Sequence, residues 1–223
     1  MKNGYLKCIR LVWRKSKGER RIIVGTLSRS SSEGITFNYE LEGIKEASKY
    51  GFVCYPDFPI LEKEYHDNVL DVFGQRLNNS ERSDIQNYYD FWEIAPEYKQ
   101  DKFYLLAQTQ GLLSTDNFEF LAEYNLERGI RFISEISGIT NYKIASNTLQ
   151  EGDLLKWEKE PANKYDSKAV KVLKNGVLLG YVKRIHSKIF YDKRADLLQI
   201  QVKSLEKNGH ITRAFITIYA ESR

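Results

Sequence analysis

The sequence is short of the residues that interrupt or staple a chain. Four prolines and fourteen glycines among 223 residues leave no room for a long disordered linker, and the chain has no internal repeat or low-complexity tract. The two cysteines, Cys8 and Cys54, stand in no metal-binding or disulfide-framework spacing, which points to ordinary buried thiols in a reducing compartment. No window approaches the roughly 18 apolar residues of a membrane-spanning helix. The leading segment Met1-Lys2-Asn3-Gly4-Tyr5-Leu6-Lys7 has no apolar core, so no secretory signal is read and a cytoplasmic location is expected. His66, His186 and His210 fall in different elements with no paired spacing and no cysteine pair nearby, so neither zinc nor any other cofactor is expected. His66 reads as a surface or boundary residue, and His186 as solvent-exposed or touching a phosphate. A glycine-rich phosphate loop and a His-Arg-Asp catalytic segment are missing too, which argues against phosphoryl transfer. Ser30 to Ser32 make a turn and not a nucleophile elbow.

What is present suffices for one large or two small globular domains: 42% of residues are hydrophobic and 29% charged. The net charge of +4 is unevenly spread. Residues 125–223 hold 18 Lys and Arg against 11 Asp and Glu, while residues 1–124 hold 16 against 19. That asymmetry suggests two domains, 1–124 and 125–223, the second better suited to a polyanion.

The hydrophobic pattern changes period along the chain. Residues 5–14 alternate around Tyr5, Lys7, Ile9, Leu11 and Trp13; Arg20 to Leu27 and Ile35 to Tyr39 follow as strands. Ser16-Lys17-Gly18-Glu19 and Ser28 to Gly34 supply the turns of a three-stranded meander. The basic residues at its first tip, Arg14, Lys15, Lys17, Arg20 and Arg21, read as solvated or as a second DNA contact. Helical spacing then runs from Glu62 to Leu77, with Tyr65, Val69, Val72, Phe73 and Leu77 on one face. Ser83-Asp84-Ile85-Gln86 fits a capping box before Tyr88, Tyr89, Phe91 and Trp92, and Asp101 caps a helix that Gly111 ends. Aromatic residues at such spacing form core more often than a ligand platform. Strands return at Gly129–Ile133, Leu154–Trp157, Ala169–Leu173, Val177–Val182, Leu197–Leu205 and Ile211–Tyr219, with a short helix at Ile185–Lys193. Asn175-Gly176 and Asn208-Gly209 both predict type I′ hairpin turns. The expected fold is α+β: a three-stranded meander with helices, then a small SH3- or OB-like β-barrel with one short helix.

The most informative stretch joins a polar turn to one of these hairpins. Glu160-Pro161-Ala162-Asn163-Lys164-Tyr165-Asp166-Ser167-Lys168 runs into Ala169-Val170-Lys171-Val172, and the returning strand ends in Gly180-Tyr181-Val182-Lys183-Arg184. An aromatic face, a carboxylate acceptor and several cations are thereby offered to one ligand. Asp166 could equally bond backbone amides and shape the turn; the two roles are compatible.

This stretch, together with Gly129-Ile130-Arg131-Phe132, resembles the HIRAN domain over roughly residues 128–220. The family pattern opens with Gly-apolar-Arg-aromatic, has a Pro-x-Asn-Pro-Tyr-Asp-x-Asn-Ala-apolar core, and closes with a Gly before an apolar, basic segment. Lys164 and Lys168 depart from that core, at its second Pro and its second Asn. The resemblance implies a reader of single-stranded DNA with a free 3′ end, as in the eukaryotic helicase-like relatives. Its contacts would be Arg131, Phe132, Tyr165, Asp166, Tyr181 and Arg184. An aromatic ring accepts any base face, Asp166 would accept a hydrogen bond from the 3′-hydroxyl, and Arg131, Lys183 and Arg184 would neutralise phosphates.

The first half is similar to the N-terminal subdomain of HipA-type kinases, through Val24-Gly25-Thr26-Leu27, Phe37-Asn38-Tyr39, Phe58-Pro59-Ile60, Tyr65 and Phe73-x-x-Arg76-Leu77. That likeness implies a protein partner for residues 1–124. Asp153 with Asp166-Ser167-Lys168 matches the loose spacing of a metal-dependent nuclease, but the HIRAN register already accounts for Asp166. The expectation is a non-enzymatic, DNA-binding adaptor in repair, replication or defence against foreign DNA. The alternative is a regulatory module that docks a toxin, kinase or helicase.

Overall fold

The computed structural model describes residues 6–16 and 18–221. Tyr5, at the head of the first expected strand, and Lys17, in the first expected turn, lie outside them. The chain divides into two compact units, one of Leu6–Glu123 and one running from Tyr124 onward. No helix among the described residues is long and apolar enough to cross a membrane.

The first unit is an antiparallel sheet covered by helices. Strands β1 (Leu6–Trp13), β2 (Ile22–Ser30) and β3 (Gly34–Tyr39) form the expected meander, and β4 (Phe118–Tyr124) adds to it in the order β3-β2-β1-β4. The sequence reading missed β4, although Phe118, Phe120, Ala122 and Tyr124 alternate with Glu119, Leu121 and Glu123. Glu119 is clamped by Arg14 at 2.9 Å and Arg21 at 3.0 Å, and Glu123 by Lys7 at 3.2 Å and Arg10 at 3.0 Å. Ion pairs of this kind let the two carboxylates, which share one face of the strand, be buried there. They also draw two residues of the basic tip, Arg14 and Arg21, partly out of solvent, while Lys15 and Arg20 stay exposed as a solvated tip requires. Arg14 and Arg21 belong to a buried carboxylate, and Arg20 pairs with Glu46 at 2.7 Å.

The helices are α1 (Leu41–Ser48), α2 (Val69–Gly74), α3 (Ile85–Phe91) and α4 (Lys102–Thr109). Helix α1 was not anticipated. The long helix expected over Glu62–Leu77 shrinks to α2, because Tyr65 is extended and exchanges two 2.9 Å backbone hydrogen bonds with Phe37 of β3. Asp101 does cap α4, accepting the Tyr104 N–H at 3.0 Å. Asp84 makes no side-chain cap; its carboxylate is held by Arg82 instead. The aromatic residues supply core, with Phe73 edge-on to Phe37 at 5.2 Å and to Phe120 at 4.9 Å.

The second unit is a closed six-stranded antiparallel barrel. Its strands are β5 (Arg131–Ser137), β6 (Leu154–Glu160), β7 (Ala169–Lys174), β8 (Val177–Val182), β9 (Leu198–Asn208) and β10 (His210–Ala220), closed in the order β10-β5-β8-β7-β6-β9. The expected short helix becomes one turn, α5 (Arg184–Ser187), followed by a 3₁₀ turn at Lys188–Tyr191. Asn175 and Gly176 both take positive φ, +50° and +81°, as a type I′ turn demands. At the β9–β10 turn the residue with positive φ is Gly209, while Asn208 stays in the strand and pairs with His210; the second type I′ expectation fails. Inside the barrel, Phe132, Val170, Val172, Leu179, Phe190, Ile200 and Ile216 are buried. One close approach sets the site. Gly180 has φ +146°, and a Cβ there would fall 2.5 Å from the Ser137 carbonyl oxygen, so β8 lies directly against β5 just before Tyr181.

Candidate nucleic-acid interface

The loop between β6 and β7 is built by its own side chains. Glu160 and Ala169 face each other across the two strands, so residues 161–168 must return within a short span. Asn163 makes this work. Its backbone N–H donates to the Glu160 carbonyl at 3.0 Å, and its side-chain Oδ1 accepts the N–H groups of Tyr165 at 2.9 Å and Asp166 at 3.2 Å. Asp166 Oδ1 then accepts the Lys168 N–H at 2.9 Å, and the Ala169 N–H donates to the Asp166 carbonyl at 3.0 Å. The turn-shaping role of Asp166 is therefore real, and it occupies one carboxylate oxygen.

The other oxygen faces a cation. Asp166 Oδ2 stands 3.9 Å from Arg184 Nε, and the Arg184 side chain is 66% exposed. Next to them Tyr165 is 91% exposed, its ring unpacked on the crest of a loop whose backbone is pinned. Exposure of this degree is unusual for so large an apolar surface, and both ring faces are open to a flat ligand. Lys164 and Lys168 are exposed on the same loop.

Behind the loop a carboxylate gathers three donors. Glu160 accepts from Asn163 Nδ2 at 2.6 Å and the Tyr181 hydroxyl at 3.1 Å, and pairs with Lys171 Nζ at 2.7 Å. These contacts, Asn163 first and then Lys171, hold Glu160 below the usual carboxylate range, while Glu160 raises Lys171. Burial, and then the hydrogen bond to Glu160, push Tyr181 up to about 12. Tyr191 closes the base of the loop, its hydroxyl donating to the Ala169 carbonyl at 3.1 Å with Lys159 Nζ 5.4 Å from its ring centre. Burial, and next the negative charge of Asp166, raise Tyr191.

The structure thus brings Tyr165, Asp166, Tyr181 and Arg184 to one face and separates the other three expected contacts from it. Phe132 is 1% exposed, in the barrel interior, with its ring 4.1 Å from that of Tyr124 and 5.0 Å from His186. It has no face left for a base. Lys183 is likewise 1% exposed and reaches Glu135 Oε2 at 3.4 Å; a buried cation spent on a half-buried carboxylate is not offered to phosphates. Phe132 projects inward on β5 where its neighbour Arg131 projects outward, whereas Lys183 lies between β8 and α5, buried beside the exposed Arg184. Arg131 is exposed but starts β5 at its far end from the Ser137–Tyr181 pair, with its guanidinium 5.0 Å from the Tyr219 ring. His186 is not exposed: it is buried, and its Nδ1 lies 2.7 Å from Ser134 Oγ.

Sequence reasoning missed Glu160, Asn163, Lys171 and Tyr191 as parts of this face. Glu160 and Asn163 sit inside the quoted stretch, but their roles depend on the cross-strand register, in which Lys171 lies opposite both Glu158 and Tyr181.

The nuclease spacing does not make a site. Asp153 precedes β6 and pairs with Lys174 at 2.8 Å, whereas Asp166 lies beyond the other end of that strand. At about 3.3 Å per residue the two carboxylates are roughly 20 Å apart along the hairpin, too far to share a metal ion. Among the described residues no three His, Cys, Asp or Glu side chains converge as a metal site.

Residues 129–210 match the model of the HIRAN domain. Among solved structures the chain is similar to the HIRAN domain of human HLTF, at 19% identity over 41% of this chain and 77% of that one, with a TM-score of 0.33. No curated protein matches the chain.

Proposed function

We propose, taking residues 129–210 as the HIRAN domain that they match, that the protein binds DNA and that the face around residues 161–168 holds the 3′ end of a single strand. One observation carries this reading: a 91% exposed tyrosine, Tyr165, directly precedes a carboxylate that shares its space with an exposed arginine, Arg184. Stacking on Tyr165 takes any terminal base. Arg184 neutralises the phosphate that precedes the last sugar, with Lys164 and Lys168 adding to the local positive field. Asp166 accepts a hydrogen bond from the free 3′-hydroxyl through its outward oxygen. A carboxylate placed there repels a terminal phosphate, so the same group that accepts the hydroxyl rejects a blocked end.

The protein acts in this reading by binding, with no chemistry of its own, as a cytoplasmic adaptor that brings a partner to DNA ends. Residues 6–123 are the part that holds the partner, in keeping with their HipA-like pattern; Leu41, Tyr50, Val53 and Ile60 are exposed apolar side chains there. The direct test is affinity for matched oligonucleotides ending in 3′-hydroxyl or 3′-phosphate. Equal affinities would remove end reading. Binding that stays flat across ionic strength would remove the DNA role and favour a protein-docking module.

A further inference from the structure

We infer that Glu160 is the positioning residue of this site, acting by fixing which way round the Asn163 amide lies; the inference deepens the end-reading proposal and rests on it for its DNA consequence. The argument is one of donors and acceptors. An ionised carboxylate can only accept hydrogen bonds, and an amide side chain has one donating and one accepting end. Asn163 lies between Glu160 on one side and two backbone N–H groups, of Tyr165 and Asp166, on the other. With Glu160 charged, the Asn163 NH2 must face it, and the carbonyl oxygen must face the two N–H groups. The reverse orientation would set oxygen against carboxylate and NH2 against two donors.

Glu160 is suited to this role because its own position is over-determined. It ends β6 and takes bonds from the loop, from Lys171 on β7 and from Tyr181 on β8. Three strands thereby hold one carboxylate, and that carboxylate holds the backbone of the two residues that read the DNA end. Glu160 touches no ligand in this arrangement. It transmits the register of the barrel wall to the Tyr165–Asp166 backbone in two hydrogen-bond steps. Lys171 favours the ionised form of Glu160, in which the carboxylate can only accept and so takes only the donating end of Asn163.

The test reverses the polarity of the pair. Glu160→Ala and Asn163→Asp should each weaken binding of a 3′-hydroxyl oligonucleotide by about tenfold, the second because two carboxylates then face each other. The double variant Glu160→Gln with Asn163→Asp restores a donor facing an acceptor. The amide introduced on β6 can donate to the carboxylate introduced in the loop, and that carboxylate still accepts the two N–H groups. Binding should recover to within a few-fold of the parent. Hydrogen exchange of the Tyr165 and Asp166 amides, read on the same proteins without DNA, should rise in both single variants and fall back in the double. Exchange that is unchanged in Glu160→Ala, or a double variant no better than Asn163→Asp alone, overturns the inference. If exchange follows the predicted order while no variant, nor the parent, binds oligonucleotide, the positioning role stands and the end-reading proposal falls.

Discussion

Asp166 Oδ2 lies 3.9 Å from Arg184 Nε, beyond a good hydrogen bond, while Asp166 Oδ1 is taken by the Lys168 N–H at 2.9 Å. One oxygen of the carboxylate builds the loop and the other shares a loose ion pair with an exposed guanidinium. A loose, solvent-screened pair is worth little to folding, so Arg184 can turn to a phosphate at small cost and leave that oxygen to a hydroxyl donor. Arg184→Ala should therefore weaken oligonucleotide binding and lower the slope of log affinity against log salt by about 1. Its thermal unfolding should match that of the parent, because the side chain is 66% exposed.

Tyr165 and Phe132 make a matched pair of tests, since both are aromatic residues of the expected site and only one is outside. Tyr165→Ala should lose about 1–3 kcal/mol of binding, roughly 5- to 150-fold, with stability within about 0.5 kcal/mol of the parent. Phe132→Ala removes a ring packed against Tyr124 and His186 and should cost about 3–5 kcal/mol of folding stability, read by denaturant unfolding.

The wall behind the loop has a pH window. Glu160 is depressed by Asn163, Lys171 and Tyr181, so its contribution is full above the ordinary glutamate value of about 4.3 and is lost as pH falls through its depressed folded value. Tyr181 is raised to about 12 by burial and by Glu160. Its contribution is full below the ordinary tyrosine value of about 10 and is lost as pH rises from there through about 12. The stability difference between the parent and Tyr181→Phe should stay constant from pH 6 to about pH 9 and shrink above about pH 10. A difference that grows with alkaline pH would contradict the assignment.

In the first unit, α1 meets β2 backbone to backbone at Gly43. A Cβ added there would fall 1.7 Å from the Ile23 carbonyl oxygen and 3.6 Å from Val24 Cα. Gly43→Ala raises helix propensity by about 1 kcal/mol in isolation, yet it should destabilise this protein by about 1–3 kcal/mol or more, because helix and strand must move apart. Thermal unfolding of the single variant checks the sign.

The strands of the barrel were legible because their outward positions are polar and their turns carry Asn-Gly or Gly. The loop of the site was legible too: Tyr165 and Asp166 are set by local turn chemistry that the sequence displays. What was hidden depends on the inside. Phe132 and Lys183 were read as contacts because a motif says which residues occur together, not which way they point; for Phe132, one residue along β5 reverses the side. Lys183 misled most, since a lysine buried between a strand and a helical turn, reaching a half-buried Glu135, cannot be told from a solvated one in the sequence. Strand β4 shows its alternation in the sequence; what the sequence does not show is that its glutamates are buried by cations far off in the chain. Helix α1 is eight residues long, too short for its period to stand out.

The central claim is that a flat ring, an outward carboxylate oxygen and an exposed arginine together read a DNA end. Its most direct measurement is the ratio of affinities for one single-stranded oligonucleotide with a 3′-hydroxyl and with a 3′-phosphate, in the parent and in Asp166→Asn. The parent should prefer the hydroxyl by about tenfold or more, as expected when a carboxylate both accepts the hydroxyl and repels the phosphate, and Asp166→Asn should lose most of that preference. A parent ratio near one, or a preference that survives Asp166→Asn unchanged, would contradict the account.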